Sequence, residues 1–299
     1  MDSLISEEEI QRYQRDGAVV VRNVFGPEWI KLAAAGIERN LANPSVYASE
    51  NQVGEREGRF FDDYCNWTSI EEFQRLVFDS PAAQLAARAM RSQSAQFFHD
   101  HVLVKEPFTK KPTPWHADMP YYFVDGMQNV SMWIPMEPVD TASLRFIAGS
   151  HTWEKMVLPV SWSDDSDFYD STNDFNLRPS GGRGGGEKPV YEPVPDPDKW
   201  PGKYNVLEWA VNPGDVVLFH FRTCHAARGN LTGSRRRALS LRWVGDDCTY
   251  ITRPGRTSPP FPNHNMTDGQ TLRKDWFPIV YTQGDDGRSA VGSRRTSKL

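Results

Sequence analysis

Apolar positions change period along the chain. Near the start they recur at helical spacing. Ser6-Glu-Glu-Glu9 forms a capping box, with Leu4 or Ile5 as the hydrophobic staple, and predicts a helix to Asp16 that Gly17 stops. Ala18-Val-Val-Val21 reads as a short strand. Pro27 opens a second helix to about Asn40, with Trp29, Leu32, Ala33 and Ile37 as its inner stripe. Arg56-Glu-Gly-Arg-Phe-Phe61 leads towards a helical stretch from Ile70 to Phe78, and the alanine-rich run from Pro81 to Met90 predicts another. From Gln96 to about Trp243 the pattern is that of strands separated by Pro/Gly turns. Helices first and a long β run afterwards predict a mainly β fold with flanking helices. The expected architecture is a double-stranded β-helix (jelly roll, cupin-like) with the N-terminal helices packed on one sheet.

One stretch interrupts the β run. Ser161 to Gly202 holds Asp164-Asp-Ser-Asp167, the glycine run Ser180-Gly-Gly-Arg-Gly-Gly-Gly186 and a proline-rich end. An insertion of that length is expected to act as a flexible lid. Glu187 follows the glycines, so the Gly-Lys-Ser/Thr ending of a phosphate loop is missing. The expected organisation is a single domain over residues 1–283. It has a helical part over 1–95, a β-helix core over 96–245 that carries the lid over 161–202, and an extension over 246–283. A flexible tail follows over 284–299.

Composition narrows the function classes. The chain has 299 residues, 38% hydrophobic and 12% aromatic, enough for a sizeable core. Its formal net charge of -5, with no long basic block, argues against nucleic acid. No apolar run reaches the ~20 residues needed to span a bilayer. Cys65, Cys224 and Cys248 form no C-x-x-C pair and read as free thiols. The terminal Ser297-Lys298-Leu299 matches a peroxisomal address, read by an import receptor if the source is eukaryotic; otherwise the expected location is cytoplasmic.

The candidate chemistry sits in two segments. In Pro114-Trp-His-Ala-Asp-Met-Pro120, His116 and Asp118 share one face if the segment is a strand. One more histidine on a facing strand would complete a 2-His-1-carboxylate set, which leaves open positions on Fe(II). Gly214-Asp-Val-Val-Leu-Phe-His-Phe221 reads as a turn and a buried strand, and His225 sits just beyond it. Ala238 to Val244 reads as the next strand, with Leu239, Leu241 and Trp243 on one face. Arg236 at its start suits a bidentate grip on a carboxylate. An iron site beside a carboxylate-clamping arginine is what a 2-oxoglutarate-dependent oxygenase requires. The other histidines have duller readings. His220 lies an odd number of residues from His225 and reads as a packed residue. His99-Asp-His101 is the rival metal site, without a recognisable third ligand. His151 reads as structural and His264 as solvated. Arg59, Lys105 and Arg145 read as solvated surface charges, with a substrate carboxylate or phosphate as the alternative.

These segments resemble the phytanoyl-CoA dioxygenase family of Fe(II)/2-oxoglutarate oxygenases. The resemblance runs from Glu8 to Gly17, through Trp115-His-Ala-Asp118, Ser131-Met-Trp-Ile-Pro135 and Leu144 to His151, to Asp246-Asp247. It implies His116, Asp118 and His225 as iron ligands, Arg236 as the anchor of the cosubstrate and Trp133 as a wall of its pocket. Ala227 stands where some relatives carry a cosubstrate-binding serine. The implied cofactors are Fe(2+), 2-oxoglutarate and O2. The implied activity is hydroxylation of a small-molecule substrate, an organic acid or an acyl-CoA, with release of succinate and CO2. A non-catalytic cupin-like metal- or small-molecule-binding protein is the alternative. Asp118 argues against a halogenase, which needs that carboxylate absent.

Overall fold

Ser6 caps the first helix as its sequence predicts: its hydroxyl accepts from the Glu9 amide, and the Glu9 carboxylate accepts from the Ser6 amide. The computed structural model describes residues 4–51, 58–141, 143–162, 168–169 and 191–284. Its helices are α1 (Glu7–Asp16), α2 (Pro27–Ala42), α3 (Glu71–Asp79) and α4 (Ala82–Met90). The strands are β1 (Ala18–Val21), β2 (Ser49–Glu50), β3 (Phe60–Tyr64), β4 (Ser94–Lys105), β5 (Thr113–His116), β6 (Val124–Asp125), β7 (Asn129–Pro135), β8 (Leu144–Ile147), β9 (Val206–Glu208), β10 (Val216–Phe219), β11 (His225–Ala227), β12 (Arg236–Val244), β13 (Thr249–Tyr250) and β14 (Ile279–Thr282).

A large antiparallel sheet runs β1-β10-β7-β12-β4-β3-β2, with β14 also paired to β4. A smaller sheet runs β5-β11-β8-β9, and β13 pairs with β6. The large sheet has two different faces because side chains alternate along its strands. Val19, Val21, Val102, Val104, Leu239, Leu241 and Trp243 point outward into one core with the apolar stripes of the four helices. Leu103, Trp133, Val217, Phe219 and Ala238 point inward and pack with Leu144, Phe146 and Ala227 of the smaller sheet. This is a jelly roll with helices on one sheet, as the pattern predicts. Gly17 ends α1 at φ 77°, and a Cβ there would meet His151 Nδ1 at 2.4 Å and Thr223 Oγ1 at 2.5 Å, where α1 gives way to β1.

Several expectations need correction. Phe60 to Tyr64 is a strand, not the approach to a helix. Its Asp62 and Asp63 look solvated in sequence but are buried, held by Asn51 and by Asn40 and Ser45 respectively. Ile279 to Thr282 adds a strand to the edge of β4 that the sequence pattern does not announce. Lys105 is fully buried rather than a surface charge. Its stem faces inward on β4, its ammonium lies over the Phe60 ring at 4.4 Å, and it donates to the carbonyls of Lys111 and Arg228. Arg59 and Arg145 are paired with Glu50 and Asp198. His264 is half-buried, its ring tilted at 45° against Tyr250 with 4.7 Å between ring centroids. Most of the lid segment and the tail, including Ser297-Lys298-Leu299, lie outside the described residues.

Candidate metal centre

β5 and β11 are neighbours in the smaller sheet, and His116 faces His225 directly across the ladder. The register slips between His225 and Ala227, where Pro114 in β5 has no amide to donate. Asp118 is not on the strand. β5 ends at His116, and Asp118 takes helical dihedrals at the start of a 3-10 turn over Met119–Tyr121. Pro120 cannot extend a ladder, and the Met119 amide donates instead to Phe221. The turn still aims the carboxylate at the histidines. Asp118 Oδ1 lies 3.7 Å from His116 Nε2 and 3.8 Å from His225 Nε2. One donor atom from each of the three residues lies within 4.8 Å of the others, and all three residues are buried.

Neighbouring groups fix which atoms face the centre. His116 Nδ1 donates to the Pro114 carbonyl at 2.8 Å, and His225 Nδ1 donates to the Thr223 carbonyl at 2.9 Å. A carbonyl only accepts, so each ring carries a proton on Nδ1 and turns Nε2 towards the centre. Ser131 donates to Asp118 Oδ2 at 2.8 Å, which leaves Oδ1 for the centre. Burial works against the Asp118 charge, but Arg242 and the two histidines beside it hold the carboxyl well below the usual range. Burial, and then His116, lower His225 to about 3, so it stays neutral at pH 7. Two imidazoles that turn Nε2 to the centre and one carboxylate, oriented by their second hydrogen bonds, fit a divalent iron ion.

Arg236 and Trp133 lie deeper between the sheets. The Arg236 guanidinium sits 5.9 Å from the Trp133 ring centroid, and both residues are buried. Burial lowers the Arg236 pKa to about 10, so it keeps its charge. The Trp133 indole N–H is buried with no hydrogen-bond partner among the described residues. A buried cation next to an unused N–H fits a dicarboxylate cosubstrate. Arg235 and Arg237 face away, paired with Glu38, Glu106 and Glu137. Trp133 packs in one cluster with Phe146 and Phe219, whose rings contact His225 at 5.9 and 4.5 Å between centroids.

The remaining histidines divide as their spacing suggests. His220 is buried, donates to Met127 and accepts from the Arg222 amide. His151 bonds the Gln14 carbonyl at the end of α1. His99 and His101 face inward on β4 but gather no third ligand: among the described residues His116, Asp118 and His225 are the grouped metal donors. His99 and His101 instead line a cavity of about 200 Å³ that opens beside His116 and Asp118. Arg242, Tyr121, Tyr122, Trp162 and Arg256 also line it. The sequence reading missed Arg242. Its signal was there: six positions after Arg236 on one strand, it shares the inward face.

The comparisons agree with this geometry. A family model described as Phytanoyl-CoA dioxygenase (PhyH) matches residues 13–238. An ectoine dioxygenase of Stutzerimonas stutzeri is 24% identical over 246 residues, covering 79% of this chain and 75% of the relative. The solved structure of SnoK, a non-heme alpha ketoglutarate dependent carbocyclase from nogalamycin biosynthesis, superposes with a TM-score of 0.68 at 22% identity, covering 93% of this chain and 97% of that one. EctD from S. alaskensis, solved with 2-oxoglutarate and 5-hydroxyectoine, superposes with a TM-score of 0.61 at 18% identity, covering 94% and 86%. At these identities the structures establish a shared fold. The sequence relatives are mostly bacterial ectoine dioxygenases, which lends no support to a peroxisomal address.

Proposed function

The chain belongs to the phytanoyl-CoA dioxygenase family and is a non-haem iron, 2-oxoglutarate-dependent dioxygenase, and from that premise we propose that it hydroxylates a small organic acid. The observation that carries this reading is the convergence of His116, Asp118 and His225, two of which, His116 and Asp118, line the cavity. These residues would hold the iron, with Arg236 pairing the far carboxylate of 2-oxoglutarate and the Trp133 N–H adding a donor. When bound, iron and 2-oxoglutarate supply the activation of O2: one oxygen atom goes to the substrate and the other to succinate, with loss of CO2.

The protein's own part is binding, orientation and exclusion of water. Trp162 lies edge-on to the His116 ring at 4.9 Å between centroids, and Tyr121 at 6.1 Å. They cover the metal side of the cavity. The polar lining supports a compact acid: His99, His101 and Arg242 face the space. An acyl-CoA is the second reading, which the family description supports.

Succinate release with Fe(II) and 2-oxoglutarate, measured against panels of small acids and of acyl-CoAs, tests the choice. Stoichiometric succinate and hydroxylated product with a small acid is the expected result. Coupled turnover with acyl-CoAs alone would reject it.

A further inference from the structure

Arg242 is an unusual group to find at the wall of this cavity. It sits on the inward face of β12, 3% exposed, directly across the ladder from His99 on β4. Two of its three nitrogens are occupied. Nε donates to the Tyr122 hydroxyl at 3.1 Å, and Nη2 lies 3.5 Å from Asp118 Oδ2. Nη1 is buried and has no hydrogen-bond partner among the described residues. His99, 2% exposed, leaves its Nε2 without a partner in the same way. Both residues line the cavity. Buried polar atoms are nearly always satisfied, so a neighbouring pair left open at one cavity wall calls for a ligand.

The chemistry of the pair is complementary. Arg242 offers a charged N–H. His99 Nδ1 faces the Asp100 carbonyl at 3.1 Å and must donate to it. Burial, and then the Arg242 charge, keep His99 neutral, so its open Nε2 is an acceptor. A plain carboxylate satisfies the arginine alone. A carboxylate with a hydroxyl or amino group on the adjacent carbon satisfies both. Charge points the same way, because iron would draw on the same Asp118 carboxylate that now faces Arg242.

We propose that Arg242 and His99 form the substrate's recognition site, and that it takes the head of a small 2-hydroxy or 2-amino acid. The proposal rests on the oxygenase reading above and narrows its substrate. Arg242 grips the carboxylate through Nη1, and His99 Nε2 accepts from the 2-hydroxyl or 2-amino group. The rest of the molecule lies among the aromatic rings of Tyr64, Tyr121 and Trp162. Arg256, over the Phe168 ring at 4.4 Å, is the competing cation in the cavity lining.

Three matched probes separate these roles: mandelate, phenylacetate, which lacks the hydroxyl, and mandelamide, which lacks the charge. Calorimetric titration into the enzyme loaded anaerobically with Fe(II) and 2-oxoglutarate gives each Kd. Mandelate should bind wild type about tenfold or more tighter than mandelamide, and several-fold tighter than phenylacetate, as each lost contact leaves a buried group open. Arg242→Met should erase the advantage over mandelamide. His99→Leu should erase the advantage over phenylacetate and keep the preference for charge. Arg256→Met should preserve both.

Equal binding of mandelate and mandelamide to wild type overturns the proposal, even where Arg242→Met does not fold. So does loss of the charge preference in Arg256→Met, or its survival in Arg242→Met. A wild type that releases succinate yet shows no charge preference defeats this inference alone. A wild type that never turns over 2-oxoglutarate defeats the oxygenase reading beneath it.

Discussion

Ser131 donates its hydroxyl hydrogen to Asp118 Oδ2 at 2.8 Å, and that bond decides which carboxylate oxygen faces the two histidines. β7 carries Ser131 on its inward face, while Asp118 comes from the turn after β5, so the large sheet orients a carboxylate supplied next to the smaller one. Ser131→Ala should therefore weaken Fe(II) affinity by roughly tenfold to a hundredfold, the usual effect of losing such a partner. Anaerobic titration of the apoprotein with Fe(II) measures it. An unchanged affinity would mean that Arg242 alone positions the carboxylate.

Arg236 should govern the affinity for 2-oxoglutarate. Removing a charge-assisted pair costs about 2–4 kcal/mol, so Arg236→Met should raise the KM for 2-oxoglutarate by roughly thirtyfold to several hundredfold while iron still binds. Arg235→Ala and Arg237→Ala should leave that KM within about twofold, because their guanidinium groups are paired with glutamates on the opposite face. A KM that follows Arg237 instead would put the cosubstrate elsewhere.

His220 should make the fold sensitive to acid. Burial, and then the neighbouring His151, lower its pKa to about 3, below the value of about 6.5 in an unfolded chain. Between those values the unfolded state binds a proton that the folded state refuses. Stability is therefore full above about pH 6.5 and falls as the pH drops, by up to about 1.4 kcal/mol per unit, levelling near 3. Urea unfolding from pH 7.5 to 5 should show a shallower loss in His220→Gln than in wild type. Identical slopes would assign the acid sensitivity to other groups.

Much of this was legible in the sequence, for identifiable reasons. The cap of α1, the Pro27 that opens α2, the apolar outer face of β12 and the spacing of His116 and Asp118 are local signals. The opposed faces of Arg236 and Arg237 follow from strand alternation alone. What stayed hidden depends on partners far along the chain. β3 was unreadable because Asp62 and Asp63 look solvated until Asn51, Asn40 and Ser45 bury them. Lys105 looked like a surface charge because its acceptors, the carbonyls of Lys111 and Arg228, come from separate loops. Asp118 reached the right place by a different route. Strand alternation does not aim its carboxylate; the 3-10 turn that contains Pro120 does.

The central claim is that His116, Asp118 and His225 hold the iron to which 2-oxoglutarate chelates. Chelation of a 2-oxo acid to Fe(II) produces a visible charge-transfer band, which reports the site without any substrate. Anaerobic addition of Fe(II) and 2-oxoglutarate should produce the band in wild type and in His220→Ala. It should be absent in His116→Ala, Asp118→Ala and His225→Ala, each still folded by circular dichroism. A band that survives in His225→Ala and vanishes in His220→Ala would contradict the account.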